Sequence, residues 1–159
     1  MGGYAKGSTT LTLSDASSIA AGDFAEIQEE NDALISNESW SLDAVGEMVE
    51  VVSVNGNQIS LAEPLHYAYE ASRNPVIRRV GVIDHAGVER MHLQREDTGR
   101  GQMILIYNAA YCWVREVESE NITYTHFMGI NSYKCEIRDN YVHHARGYGS
   151  GGQGYGCLL

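Results

Sequence analysis

Two histidines, His143 and His144, stand side by side near the end of this sequence, with Arg146 just beyond them and Glu118 and Glu120 on an alternating stretch before them. Eliminative cleavage of a uronic-acid polymer needs a base to take the proton beside the carboxylate and a cation to neutralise that carboxylate. His143 or His144 fits the first role and Arg146 the second. Hydrolysis of a glycosidic bond needs two carboxyl groups about 5 to 9 Å apart, and Glu118 with Glu120, or Glu120 with Asp139, are the nearby candidates. Tyr141, Tyr148 and Tyr155 offer rings for stacking on a sugar, and Asn121 offers an amide. A structural role competes with all of this: paired histidines at a strand end also cap turns. Adjacent strand residues point to opposite faces, so His143 and His144 share a site only if the chain bends between them.

Such residues converge only if some element aligns them, and the second half of the chain carries a repeat. Residues 104–115 written over 127–138 bring Asn108 onto Asn131, Cys112 onto Cys135, Val114 onto Ile137 and Arg115 onto Arg138. Residues 88–93 match 114–119 at a slightly longer spacing, the excess falling in the polar 97–101 loop. A period of about 20 to 30 residues with short strands and no helical stretch reads as coils that bury a common core by stacking. The L-x-x-L-x-L pattern of leucine-rich repeats is absent, which favours a parallel β-helix. Stacking then makes columns: His92, Glu118 and Tyr141; Gln94, Glu120 and His143; Arg95, Asn121 and His144. The asparagines 108 and 131 stack at a turn, where Asn tolerates the left-handed conformation. Glu89 pairs with Arg115, and Arg90 with Glu116, across neighbouring coils. Cys112 and Cys135 share a column as small apolar residues.

The first half reads as short strands. Residues 10–13 and 24–27 alternate polar with apolar, and residues 48–54 and 58–61 flank Asn55-Gly56-Asn57 as a hairpin. Between them, residues 28–43 hold Glu29, Glu30, Asn31, Asp32, Glu38 and Trp40. Calcium is the ion such carboxylates could take, but the EF-hand spacing is missing, so a solvated acidic loop is the preferred reading and no metal ligand is assigned. No cofactor is evident.

With 21 acidic against 11 basic residues and a formal charge of −10, the chain is a poor partner for nucleic acid or anionic membranes. No apolar run approaches the roughly 18 residues that span a bilayer. Three cysteines, none in a C-x-x-C arrangement, indicate neither a disulfide framework nor a zinc site.

The phrases Gly22-Asp23-Phe24 and Asn55-Gly56-Asn57-Gln58-Ile59-Ser60-Leu61 resemble the small β module near the start of many β-helix proteins. Residues 80–159, with Ile137-Arg138-Asp139-Asn140-Tyr141, resemble the right-handed parallel β-helix of the pectin-lyase-like superfamily. The fold expected is therefore all-β: a hairpin-rich module over residues 1–75, then about three β-helix coils over residues 76–159. The resemblance implies an extracellular or cell-surface protein that binds polysaccharide or acts on it as a lyase or glycosidase. The alternative is a structural or adhesive coil stack. Cys157-Leu158-Leu159 begins another strand as the sequence stops, so a fragment, or self-association through an open last coil, is expected.

Overall fold

A computed structural model describes residues 2–36, 38–39, 41–42, 44–147 and 152–159. The chain divides into two compact units, Met1–Gly81 and Val82–Leu159. Among the described residues there is no α-helix, only a short 3-10 turn at Ala71–Arg73.

The first unit is one antiparallel sheet built from β1 (Thr10–Thr12), β2 (Phe24–Glu29), β3 (Val45–Asn55), β4 (Gln58–Leu61) and β5 (Val76–Val80), in the order β1-β4-β3-β2-β5. The expected hairpin is there: Asn55 pairs with Gln58, and Gly56 takes a φ of +58° at the turn. Alternation sends Leu11, Ala25, Ile27, Val49, Val51, Ile59 and Leu61 into one core, with Leu65 and Tyr69 packed among them. The division between units falls after Gly81 rather than after residue 75. Strand β5 accounts for the difference, because residues 76–80 pair antiparallel with β2 and so belong to the first sheet.

The second unit alternates between two parallel sheets. One contains β6 (Ile83–Asp84), β8 (Gln102–Ala110), β10 (Thr125–Tyr133) and β13 (Tyr155–Leu158). The other contains β7 (Gly87–Gln94), β9 (Trp113–Glu120), β11 (Glu136–Arg138) and β12 (Tyr141–His143). Each passage through both sheets is one coil, and Ile106, Val114, Val117 and Phe127 fill the space between them. The register is the one the repeat predicts: Phe127 lies beside Ile104, Ile137 beside Val114, and Val88 beside Val114 on the other side.

Corners come from left-handed residues arranged in columns. Asn108 and Asn131 have φ of 47° and 48°. His85, Tyr111 and Lys134 form a second such column, and Arg90, Glu116 and Asp139 a third. Each non-glycine residue there costs about 1 kcal/mol or more, which the packed coils must offset. The third column has a clear use. A left-handed residue at 116 adds one position to the alternation, so Val114 and Val117 both face the core while Glu118 and Glu120 face outward.

That kink also strands backbone groups, and Asn140 satisfies them. Its Nδ2 donates to the Val114 carbonyl at 2.9 Å, and its Oδ1 accepts the Val117 N–H at 2.9 Å. The side chain thus bridges the break between β11 and β12 and fixes where β12 begins.

Candidate functional site

The outward face of β9 and β12 gathers most of the candidate residues. In register, Glu118 lies beside Tyr141 and Glu120 beside His143, while His92 and Gln94 of β7 flank the two glutamates on the other side. Contacts run along the diagonals of this lattice, which long side chains reach. His143 Nε2 donates to Glu118 Oε1 at 3.0 Å. His92 Nε2 is 3.2 Å from Glu120 Oε1. Glu118 and Glu120 point the same way two residues apart, about 6.6 Å along the strand.

The chain does bend at the histidine pair. His144 has a φ of 54°, the same left-handed corner that Asn121 occupies one coil earlier at 62°. Both imidazoles therefore turn toward one carboxylate, and each Nδ1 lies 3.8 Å from Glu120 Oε2. The two Nδ1 atoms are also within hydrogen-bonding reach of each other. Tyr141, 65% exposed, stacks on His143 with ring centroids 4.6 Å apart.

Other candidates lie elsewhere. The Arg146 guanidinium donates to the carbonyls of Arg95, Glu96 and Asp97, and so braces the loop that carries the extra residues of that coil. That loop is further held by Thr123, whose hydroxyl donates to the Gly99 carbonyl at 2.6 Å. Arg146 also lines a recess with Thr98, Arg100, Thr123, Gly147 and Gln153. Tyr155 belongs to the opposite sheet, where its ring meets Tyr124 edge-on and its hydroxyl accepts the Gly152 N–H. Asn121 occupies its corner between β9 and β10. Tyr148 lies outside the described residues, as does Trp40.

Three groups escaped the sequence reading. His92 shares a column with Glu118 and Tyr141, yet only the diagonal contact brings it to Glu120. Asn140 gave no signal beyond its place in the coil phrase. His126 and Ser119, both buried, share a 2.7 Å hydrogen bond. Burial holds the His126 imidazole below its usual range, with the nearby His143 adding to the effect. Ser119 follows the alternation that turns Glu118 and Glu120 outward, whereas His126 is buried next to the inward Phe127 and breaks the alternation of β10.

The cysteines and the acidic stretch make contacts of their own. Cys112 and Cys135 sit in one column, their thiols donating to backbone carbonyls, and burial pushes Cys135 up. In the acidic stretch, Glu29 accepts from the Glu70 N–H and from Arg73, Asp32 lies 3.6 Å from Arg73, and Glu30 accepts from Asn74.

No protein-family model and no curated protein matches this sequence. The fold is similar to that of the Pseudomonas phage phi297 tailspike gp61, with a TM-score of 0.68 and 15% identity over 98% of this chain and 30% of that one. Weaker likenesses are to the tailspike gp49 of Pseudomonas phage LKA1, at TM-score 0.44 and 20% identity over 82% of this chain and 27% of that one. Similar again is the gp54 tailspike of Acinetobacter baumannii bacteriophage AP22, solved with an A. baumannii capsular saccharide, at TM-score 0.46 and 16% identity over 87% of this chain and 31% of that one. The chain spans less than a third of the length of each.

Proposed function

We propose that this chain forms the early coils of a right-handed parallel β-helix in a tailspike-like protein that works outside the cell and binds polysaccharide on the face of β7, β9 and β12. The observation that carries the reading is the exposed Tyr141 ring stacked on His143 beside Glu118 and Glu120. An aromatic platform flanked by hydrogen-bonding carboxylates is what a sugar ring requires, and parallel coils about 4.8 Å apart repeat that surface along an extended ligand. Likeness to the phi297 tailspike over nearly the whole chain supports the fold part of this reading.

Affinity electrophoresis against a panel of neutral and uronic-acid polysaccharides tests it. Retention by at least one polymer is expected, and Tyr141→Ala should weaken it about 5- to 10-fold, or about 1–1.4 kcal/mol. New reducing ends without unsaturated uronyl groups would assign hydrolysis, and unsaturated ends elimination. A Tyr141→Ala protein that binds like the wild type would remove this face from the account.

A further inference from the structure

We propose that Glu120, His143 and His144 bind one divalent transition-metal ion, zinc being the best fit. One ligand atom from each of the three lies within 4.8 Å of the others. Zinc bonds nitrogen and carboxylate oxygen at about 2.0–2.2 Å, which places tetrahedral ligands about 3.4 Å apart. The 3.8 Å separations from Glu120 Oε2 to each Nδ1 are close to that value, and the His144 side chain, 73% exposed, is free to rotate and open the gap between the rings.

The surroundings are those of a metal site rather than of a chance cluster. A ligating histidine usually donates its other ring N–H to a carboxylate, which fixes the tautomer and turns the remaining lone pair toward the ion. His143 does this: Nε2 donates to Glu118 at 3.0 Å, so Nδ1 presents its lone pair to the triangle. The carboxylate ligand is held in the same way, with His92 on Glu120 Oε1 at 3.2 Å while Oε2 faces the imidazoles. Two nitrogens and one oxygen select a borderline ion over calcium, which takes six to eight oxygens. Three protein ligands also leave a fourth position open. The ion would tie β9 to β12 and so link adjacent coils.

This inference does not rest on polysaccharide binding and is tested without sugar. The full chain, without a histidine tag and stripped by chelator, is titrated with zinc chloride by calorimetry, and with cobalt chloride while visible absorption is followed. One zinc per chain and a cobalt spectrum typical of four-coordination are expected, with no comparable heat from calcium chloride. His144→Asn keeps a residue that Asn121 shows to be compatible with the corner, and it should weaken zinc at least about tenfold. Glu118→Gln, which replaces the charged acceptor behind His143 with a neutral amide, should weaken it about tenfold with the circular dichroism unchanged. Absence of stoichiometric zinc, a preference for calcium, or unchanged affinity in a folded His144→Asn protein would each overturn the proposal.

Discussion

Replacing Asn140 with leucine should unfold the second unit far more readily than an exposed loop substitution would. Its amide makes two backbone hydrogen bonds of 2.9 Å, to the Val114 carbonyl and the Val117 N–H, both partly buried. Leucine keeps the bulk and removes both partners. A stranded buried donor or acceptor costs about 1–3 kcal/mol, and partial exposure favours the lower half of that range, giving about 2–4 kcal/mol together. With a urea dependence of about 2 kcal/mol per molar, the midpoint should fall by about 1–2 M. The chain has two tryptophans, so a Trp40→Phe background leaves Trp113, beside the break, as the only indole reporter. Asn140→Asp retains an acceptor for Val117 but sets an oxygen against the Val114 carbonyl, and should lose at least half as much. Hydrogen exchange gives the local readout: the Val117 amide should lose protection in Asn140→Leu. A change below about 0.5 kcal/mol with Val117 still protected would refute the bridging role.

In the first unit, Glu29→Ala should cost about 2–3 kcal/mol in thermal or urea unfolding, because the Glu70 N–H loses its acceptor. The cost stays below the larger penalty of a fully stranded ion, since Arg73 keeps Asp32 and Glu70. His126 predicts a pH dependence. The unfolded chain takes up a proton near pH 6.5, whereas burial makes the folded chain resist it. The unfolded state therefore binds more protons below about pH 6.5, and stability falls as pH drops from there until the lowered folded pKa is passed. His126→Gln should flatten urea midpoints measured between about pH 7.5 and 5.5.

The coil register was legible because stacking leaves a direct trace in sequence: inward Val114, Ile137 and Val88 must coincide, and insertions must fall in loops such as 97–101. Asn108 and Asn131 announced one corner because asparagine tolerates the left-handed conformation. Other left-handed positions fall on Arg90, Tyr111, Glu116 and Lys134, whose residue types carry no such signal; there the packed coils overrule local preference. Strand β5 was missed for a related reason. Val76-Ile77-Arg78-Arg79-Val80 alternates imperfectly, and its antiparallel partner β2 lies far away in sequence. At the site, alignment placed Glu118, Glu120, Tyr141 and His143 correctly in their columns. It could not show that side chains meet across diagonals, which is how His92 joins Glu120 and His143 joins Glu118. Nor did it show Arg146 drawn onto the 95–97 carbonyls, because such contacts depend on the path of a loop rather than on a repeat.

Polysaccharide seated along the β7, β9 and β12 face would leave a hydrogen-exchange footprint there. With a polymer retained by the full chain, exchange should slow in residues 91–94, 117–120 and 141–144, with no change in residues 102–110. Protection confined to β8, β10 or β13, with the β9 and β12 segments untouched, would contradict that seating.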